Sequence, residues 1–286
     1  MKITSSINEL RSFIKVAGLS PIAFVPTMGA LHEGHISLVK RAVEECPVTV
    51  VSIFVNPTQF NDKNDLKNYP RTLDKDLDML GKILREQDIV FTPSVEEMYP
   101  EEDTRVFKFG NLDNVMEAIG RPGHFNGVAQ IVSRLFEIVE PDIAIFGLKD
   151  FQQLAVIKEL VKQTNDKVKI IGSPIIREND GLAMSSRNTL LEPEIRKNAS
   201  AIYKTISVAA LLLKDNEIQE TALFVKNEIE NLKDFELIYF EIVDDEQLIP
   251  IKSKQEISEN KKYFGCIAVK AGKIRLIDNI EIDWCE

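Results

Sequence analysis

Two histidines set three residues apart offer the most distinctive chemistry in the sequence. His32 and His35 fall within residues 26–35, which read Pro-Thr-Met-Gly-Ala-Leu-His-Glu-Gly-His, and the chain has only three histidines in all. Side chains three residues apart can face the same side of a helix entrance. Each imidazole there can donate a hydrogen bond to a phosphate oxygen, and a charged imidazole also offsets developing negative charge.

Two other interpretations of this histidine pair are open: surface histidines in a loop, or part of a zinc site. His-x-x-His supplies only two zinc ligands, and the zincin signature His-Glu-x-x-His is absent. No glycine-rich dinucleotide sequence or Walker sequence is present either. Because the turn lies between a predicted strand and a predicted helix, the pattern favours phosphate binding at a helix N-terminus.

A lysine provides the second candidate group. Lys149 lies in the segment Phe-Gly-Leu-Lys-Asp at residues 146–150, directly after a predicted strand. Ligands of parallel α/β sheets bind outside the carboxyl ends of the strands, where an ammonium can neutralise charge on an attacked α-phosphorus. The alternative is an ordinary solvated lysine. Gln152 and Gln153 follow on the next predicted helix, and one of them can face the same crevice.

The third candidate is the polar segment at residues 181–188, Gly-Leu-Ala-Met-Ser-Ser-Arg-Asn. Hydroxyls, backbone amides and a guanidinium in a mobile loop can grip the outer phosphates of a nucleotide. A plain linker between domains would have a similar composition. A polar loop at a domain boundary can also close over a bound substrate.

The elements that position these groups follow from the apolar periodicity. In the first half of the chain, short apolar runs alternate with stretches of helical periodicity. The predicted strands are residues 22–25, 48–55, 89–91, 143–146 and 168–171, and the predicted helices lie near residues 36–46, 73–84, 128–139 and 151–163. This alternation predicts a parallel sheet with helices on both faces.

The pattern changes after about residue 175, where Ser173, Pro174 and residues 178–181 carry turn signals. Helical stretches near residues 194–213 and 217–232 precede strand-like runs at residues 235–243, 263–269 and 274–277. We therefore predict an α/β fold, with a Rossmann-like doubly wound parallel sheet in residues 1–175 that carries the nucleotide-binding crevice. Residues 176–286 are predicted to form a smaller C-terminal α+β domain that covers the active site.

Composition narrows the function classes. The chain has 286 residues, and acidic residues outnumber basic ones by 45 to 35, which argues against broad nucleic-acid binding. Its N-terminus does not open onto an apolar signal core, and no apolar run approaches the roughly 18 residues of a membrane span. Three widely spaced cysteines indicate reduced thiols. We expect a cytoplasmic protein without nucleic-acid or membrane partners.

The three candidate segments together resemble the HxGH nucleotidyltransferase superfamily and, more closely, the pantothenate synthetase family. Residues 26–35 resemble the first motif of that family, residues 54–60 (Phe-Val-Asn-Pro-Thr-Gln-Phe) its acid-binding loop, and residues 181–188 its serine loop. Residues 69–72, 121–125 and 276–279 also fit the family pattern. The motifs span the first two thirds of the chain, and their combination is highly specific although each motif alone is not.

The resemblance implies a reaction in which ATP, (R)-pantoate and β-alanine give pantothenate, AMP and pyrophosphate. The pantoate carboxylate would attack the α-phosphate to form pantoyl adenylate, and the β-alanine amine would then expel AMP. Binding both reactants together supplies orientation, so no covalent enzyme intermediate is needed. The resemblance also implies that the first domain, residues 1–175, binds pantoate as well as nucleotide, that Mg²⁺ takes part, and that a homodimer forms through this domain.

The resemblance further implies roles for individual residues. By position, His35 is the catalytic histidine, with His32 and Lys149 as further catalytic residues, while Gln59, Gln153 and Asn56 hold substrate. Ile176 would touch the adenine and Asp150 would lie toward the ribose. The implied ATP-binding set is Met28, Gly29, Ala30, Leu31, His32, Glu33, Gly34, His35, Gly147, Leu148, Lys149, Asp150, Ile176, Met184, Ser185, Ser186 and Arg187.

The sequence departs from the family pattern at two places. Leu148 stands where the family usually has glutamate, which leaves only a backbone contact available there. Lys75 precedes Asp76 where some relatives carry an acidic pair, so Asp76 would be at most one protein contact to Mg²⁺.

Other functions remain as hypotheses. An adenylyltransferase that acts on a phosphate-bearing acceptor shares the His-x-Gly-His turn, but the Gln59 loop fits a small hydroxy acid better. A nucleotide-sensing module would bind ATP without turnover. A tRNA-charging enzyme shares the superfamily, but this chain is short and acidic and shows no anticodon-binding segment.

Overall fold

The structure, a computed structural model, describes residues 1–60 and 63–284. The chain divides into two compact units. The first comprises Met1–Phe109, Ala118–Leu148 and Val156–Pro174, and the second comprises Gly110–Glu117, Lys149–Ala155 and Ile175–Glu286. Two short segments that precede residue 175 thus group with the second unit, and the functional division predicted at residue 175 stays a prediction.

A parallel sheet forms the centre of the first unit. Its strands are β1 (Lys2–Thr4), β2 (Ile22–Thr27), β3 (Val48–Ile53), β4 (Ile89–Phe91), β5 (Ile143–Gly147) and β6 (Lys169–Ser173). In the part of the chain described, their spatial order is β1-β4-β3-β2-β5-β6, and every pairing is parallel. Strand β2 is buried along most of its length, as expected for a central strand covered on both faces.

Helices cover both faces of this sheet. The helices up to residue 174 are α1 (Ile7–Ala17), α2 (Glu33–Glu45), α3 (Lys63–Asn68), α4 (Leu73–Leu80), α5 (Val95–Met98), α6 (Glu117–Gly120), α7 (His124–Val139) and α8 (Phe151–Thr164). On one face, α2 and α4 pack against the strands through Val25, Val39 and Leu80. On the other face, Phe136 of α7 meets Phe24 of β2 with ring centroids 6.3 Å apart. Neighbouring strand residues point to opposite faces, so β2 anchors both layers.

The strand order confirms the predicted doubly wound α/β fold and locates its switch point. Strand β2 lies between β3 and β5. The chain runs from β2 to β3 on one side of β2 and later crosses to β5 on the other side. Ligands of open α/β sheets bind at the carboxyl ends of the strands at such a point. The turn that follows β2 begins at Met28, and Leu148 follows β5 directly.

The second unit contains a smaller antiparallel sheet with helices on one face. Its elements from residue 175 onward are α9 (Pro193–Ala199), α10 (Ala201–Leu212), α11 (Ile218–Glu230), β7 (Phe235–Asp244), β8 (Tyr263–Ala271) and β9 (Ile274–Ile282). The strand order is β7-β8-β9, and Ile206, Val225 and Ile267 belong to the core beneath α10 and α11. This agrees with the predicted α+β composition.

The two larger differences from the sequence prediction in the second unit concern where elements end. The helix predicted over residues 194–213 is two helices, α9 and α10, that are separated at Ser200. The strands predicted to end at residues 269 and 277 extend to Ala271 and Ile282. Of the cysteines, Cys46 and Cys266 are buried free thiols, and Cys285 lies outside the described residues.

Candidate active site

The turn after β2 is held by a carboxylate from a distant helix. Asp76 of α4 is fully buried, and its Oδ2 and Oδ1 accept hydrogen bonds from the backbone N–H groups of Ala30 and Leu31, both at 2.9 Å. The Thr72 hydroxyl donates to the same carboxylate at 3.0 Å. Gly29 has a φ of +77°, and a Cβ there would lie 3.0 Å from Asp76 Oδ2. The turn therefore requires glycine and a buried acceptor.

His32 and His35 lie together at the entrance of α2, as the spacing predicted. His32 caps the helix, and its Nδ1 accepts a hydrogen bond from Gly34 N at 3.2 Å. The backbone N–H of His32 donates to His35 Nδ1 at 3.4 Å, and the two ring centroids are 4.1 Å apart. A neutral imidazole that accepts at Nδ1 carries its proton on Nε2, so both rings are prepared to donate to an anion.

The acid-binding loop predicted around Gln59 is a short 3-10 helix, Pro57–Gln59, capped by Asn56. The Asn56 Oδ1 accepts hydrogen bonds from the hydroxyls of Tyr99 at 3.0 Å and Thr58 at 3.1 Å. Its Nδ2 donates to Gly127 O at 3.1 Å and to Gln59 Oε1 at 3.4 Å. Asn56 is almost completely buried, so the protein itself uses its polar atoms to orient Gln59.

Gln59 is fixed from three sides. Its Nε2 lies 2.6 Å from Met28 Sδ, which connects the acid-binding loop to the turn after β2. The backbone carbonyl oxygen of Gln59 lies 2.8 Å from His124 Nδ1 at the start of α7. Gly127 of the same helix lies so close that a Cβ would approach Thr58 O to 2.7 Å. The first unit therefore brings Met28, Gln59 and Asn56 together.

Tyr99 is the member of this cluster that the sequence analysis missed. Burial raises the pKa of its hydroxyl, while hydrogen bonds to Thr58 and Asn56 act in the opposite direction. The group thus stays a neutral donor to Asn56 at physiological pH. Its sequence surroundings carry no motif, and only the fold reveals its role.

In the second unit, Lys149 lies beside Asp150, with its ammonium 3.7 Å from Asp150 Oδ1. The backbone carbonyl of Lys149 accepts a hydrogen bond from Asn279 Nδ2 at 3.2 Å. Of the two glutamines on α8, Gln152 is buried and its Nε2 donates to the carbonyls of Leu112 and Val115, both at 2.9 Å. Gln152 is therefore structural, which leaves Gln153 as the candidate for ligand contact.

The polar segment at residues 181–188 belongs to a tight hairpin. Its two arms pair through Glu178 N to Leu182 O at 2.8 Å and Met184 N to Ile176 O at 3.0 Å. Ser185 then caps a 3-10 helix, Ser186–Leu190, with its hydroxyl accepting from Arg187 N at 3.3 Å. The predicted adenine contact Ile176 and the predicted loop residue Met184 are thus direct neighbours.

Three further observations bear on ligands. Leu148 N donates to Ser173 O at 2.8 Å, so the backbone N–H at this position is already engaged. Among the described residues, no group of three or more His, Cys, Asp or Glu side chains could hold a metal ion. Within the same residues, no helix has the length and apolar character needed to cross a membrane.

Comparison with known proteins gives a consistent result. The family model described as pantoate-beta-alanine ligase matches residues 2–281. The chain is 50% identical to the pantothenate synthetase of Bacteroides thetaiotaomicron over 98% of this chain and 99% of that protein. It is 52% identical to the pantothenate synthetase of Phocaeicola vulgatus, also over 98% and 99%.

Solved structures give the same picture. The crystal structure of pantothenate synthetase from Thermus thermophilus matches with a TM-score of 0.89 and 40% identity over 99% of both chains. The pantoate-beta-alanine ligase from Francisella tularensis, solved in complex with beta-gamma ATP and beta-alanine, matches with a TM-score of 0.77 and 34% identity. That match covers 98% of this chain and 97% of the other.

Proposed function

The chain belongs to the pantoate-beta-alanine ligase family and joins pantoate to β-alanine with ATP, and we propose that it does so through a pantoyl adenylate. A carboxylate is a poor acyl donor until one of its oxygens becomes part of a good leaving group. Transfer of AMP to the pantoate carboxylate solves this problem. The observation that carries the proposal is the helix entrance at the switch point of the sheet, where two imidazoles are oriented as donors.

In the first half-reaction, a pantoate carboxylate oxygen attacks the α-phosphorus of ATP, and the bond to the bridging oxygen of pyrophosphate breaks. We assign His35 and His32 to the phosphate oxygens, because Nε2 donors at a helix N-terminus stabilise the charge that develops there. The Lys149 ammonium supplies a positive charge for the same phosphoryl group. No proton needs to be removed from the carboxylate nucleophile at neutral pH.

In the second half-reaction, the neutral amine of β-alanine attacks the activated carbonyl carbon, AMP leaves with the electron pair of the former acyl–oxygen bond, and the new amide nitrogen releases its extra proton to solvent. We assign Gln59 and Gln153 to pantoate, since a side-chain amide can both donate to a carboxylate and accept from a hydroxyl. Asn56 serves the substrate indirectly, because its hydrogen bonds orient the Gln59 amide.

The remaining nucleotide contacts are assigned by family position. Met28 through His35 would follow the phosphates, and Ile176 would contact the adenine. Asp150 would lie toward the ribose, and Gly147 and Leu148 would line the nucleotide. Because Leu148 N is engaged by Ser173 O, a backbone contact from Leu148 would use its carbonyl oxygen. Met184, Ser185, Ser186 and Arg187 would hold the base edge and the outer phosphates.

Magnesium accompanies ATP in the proposed reaction, but the described residues do not fit a magnesium site held by the protein. The Asp76 carboxylate already accepts two backbone N–H groups and one hydroxyl, and no ligand cluster surrounds it in the described parts of the chain. We therefore assign Mg²⁺ to the ATP phosphates and derive no step through it. A cytoplasmic homodimer is also proposed on the family resemblance, and sedimentation of the purified protein checks the dimer.

ATP–pyrophosphate exchange tests the proposed function. Exchange should depend on pantoate and proceed without β-alanine, because only the adenylation half-reaction is then available. Adding β-alanine should release AMP and pantothenate in equal amounts. An adenylyltransferase would instead retain AMP on its product, and a sensing module would bind ATP without turnover. Absence of pantoate-dependent exchange would refute the proposal.

A further inference from the structure

We propose that Asp278 and Asn279 of β9, together with Arg177, form a positioning network that holds two nucleotide-binding segments of the second unit in register. One segment is the hairpin of residues 176–188, and the other is the main chain at Lys149. The inference rests on the proposed function, which assigns both segments to ATP. None of the three residues needs to touch the substrate.

The first arm of the network joins Asp278 to the hairpin. The Arg177 guanidinium binds the Asp278 carboxylate with both nitrogens, at 2.6 and 2.9 Å. Arg177 also donates to Gly181 O at 3.2 Å. The backbone of Arg177 pairs with that of Ala183 in an isolated antiparallel β-bridge. Asp278 is only 3% exposed and Arg177 only 18%, so the pair is largely shielded from water. A bidentate pair fixes both distance and angle at the base of the hairpin.

The aromatic ring of Tyr203 on α10 completes this arm. The Arg177 guanidinium lies 3.5 Å from the Tyr203 ring centroid. Gly181 packs against the same ring, since an added Cβ would approach its Cδ1 to 2.9 Å, and its φ is +99°. The arginine is thus held between a carboxylate and a ring, and the hairpin turns closely around it.

The second arm joins the next residue of β9 to Lys149. Asn279 Nδ2 donates to the Lys149 carbonyl at 3.2 Å, and Asn279 N donates to Asp278 Oδ1 at 2.8 Å. Phe151, two residues after Lys149, packs on Phe264 of β8 with ring centroids 4.3 Å apart. The start of α8 is therefore attached to the sheet by the ring contact of Phe151 with Phe264 and by the hydrogen bond from the Asn279 side-chain amide.

Strand geometry explains why two consecutive residues can serve two segments. Asp278 pairs with Ile267 in the core beneath the helices, whereas Asn279 pairs with Cys266 on the opposite face. Successive side chains of a strand point to opposite faces, so one rigid strand reaches both segments. Residues 276–279 matched the family ending in the sequence, and this network gives them a physical role.

A second buried carboxylate in the same sheet provides a matched control. Asp244 ends β7, is nearly as buried as Asp278, and pairs with Lys261 at 2.9 Å. Its Oδ1 accepts backbone N–H groups of residues 246–248, which carry no proposed ATP contact. Asp244→Asn therefore tests the loss of a buried carboxylate without a change at the hairpin or at Lys149.

The experiment measures pantoate-dependent exchange over a range of ATP concentrations for wild type, Asp278→Asn, Asn279→Ala and Asp244→Asn. We expect Asp278→Asn to raise the KM for ATP, and Asn279→Ala to lower the maximal exchange rate, each by about 10- to 100-fold. The KM for pantoate should change much less, and Asp244→Asn should exchange like wild type. Arg177→Lys, measured in the same way, keeps the charge but cannot form the bidentate pair, so we expect it to raise the KM for ATP as Asp278→Asn does.

Three outcomes would overturn the inference. One is near-normal exchange in both network variants, and another is an equal loss in Asp244→Asn. If Asp278→Asn fails to fold, Asn279→Ala and Arg177→Lys carry the test with the same expectations. If wild type shows no exchange, the proposed function fails instead, and ATP-induced thermal stabilisation then decides the network. In that case, equal thermal stabilisation of wild type and the network variants by ATP is the third outcome that would overturn the inference.

Discussion

At the residue scale, the histidine pair combines a structural role with the chemical role proposed for it. The Nδ1 atoms of His32 and His35 close the first turn of α2, and a neutral ring that accepts at Nδ1 carries its proton on Nε2. The same hydrogen bonds that cap the helix therefore fix the tautomer. We expect a substitution here to affect chemistry more than stability.

His35→Ala and Lys149→Ala should each lower pantoate-dependent exchange by about 10²–10³-fold, the usual effect of removing one preorganised donor. Thermal unfolding should stay near that of wild type. Lys204→Ala, a surface change on α10, is a suitable control for both measurements. A folded His35→Ala variant with near-normal exchange would show that the imidazole does not act on the phosphate.

Asp76→Asn tests whether the buried carboxylate shapes the turn or binds magnesium. Asparagine offers one oxygen where Asp76 uses two, so its amide must face a backbone N–H of Ala30 or Leu31. We expect a loss of about 1–3 kcal/mol in unfolding free energy and a higher KM for ATP. Asp78→Asn, exposed on the same helix, is the matched control. Rescue of Asp76→Asn by added Mg²⁺ would contradict the turn-shaping role.

At this scale, the sequence predicted where the two histidines lie but not the side chains that support the turn. The spacing of His32 and His35 was sufficient to place both at a helix entrance. The bonds from Asp76 to Ala30 and Leu31 join residues far apart in the chain, and periodicity carries no such information. Gln152 and Gln153 were indistinguishable because the orientation of α8 is set by its packing.

At the scale of elements, the close approach of α7 to the Pro57–Gln59 helix determines where Gln59 sits. Gly127→Ala places a Cβ 2.7 Å from Thr58 O and 3.0 Å from Gln59 Cα. Because neither backbone atom can move cheaply, we expect a loss of about 1–3 kcal/mol in unfolding free energy. The KM for pantoate should also rise.

Gly147→Ala serves as the stability control for this change, since its added Cβ would have no neighbour within 4 Å in the described parts of the chain. Chemical denaturation of both variants gives the comparison. Equal stability of Gly127→Ala and wild type would mean that α7 can shift without cost, and the proposed constraint on Gln59 would then be wrong.

The three-stranded sheet contains a carboxylate that opposes folding at neutral pH. Burial raises the pKa of Glu241, and its Oε2 is buried without a hydrogen-bond partner among the residues that the structure describes. A carboxyl whose folded pKa is raised destabilises the folded state above that pKa, and acidification relieves the cost. Glu241→Gln should therefore increase stability at pH 7 by roughly 0.5–1 kcal/mol.

The gain from Glu241→Gln should shrink as pH falls through the folded pKa of Glu241, because the wild-type carboxyl becomes neutral there. Urea unfolding of both proteins across pH measures this difference. Glu236→Gln, on the same strand but exposed, controls for a change of net charge. A gain that is independent of pH would rule out the ionisation as its cause.

Elements with a strong apolar pattern were easier to predict than those without one. Strand β1 has only one apolar residue, Ile3, whereas the equally short β4 is apolar throughout, and α1 buries only Leu10. The separation of α9 from α10 falls at Ser200, where neither glycine nor proline marks a break. Tertiary packing decided these cases, whereas β2, β3 and α7 have apolar patterns strong enough to identify alone.

At the scale of the whole molecule, acidic residues paired with basic partners make stability depend on pH. Hydrogen bonds from Arg105 and Arg196 lower the pKa of Asp103 and Asp180. Burial opposes ionisation of Asp244, but the Lys261 ammonium and backbone N–H groups outweigh it and lower the pKa. Stability from such groups is present above their unfolded pKa and is lost as pH falls through the folded pKa.

We therefore expect the urea midpoint to be lower at about pH 3 than at about pH 6, because below about pH 4 the unfolded chain takes up protons that the three folded carboxylates, with their lowered pKa, do not. Asp180→Asn should reduce the difference between the two midpoints. Unfolding followed by circular dichroism measures both. An unchanged midpoint at the acidic pH would show that these pairs contribute nothing to folding.

The edge position of β1 has a consequence for biosynthesis. Lys2, Ile3 and Thr4 are translated well before their partners Ile89, Val90 and Phe91. The ribosome completes β2 and β3 before that partner strand exists, so β1 is incorporated into the sheet after strands that are made later. A nascent chain arrested before residue 89 leaves β1 unpaired.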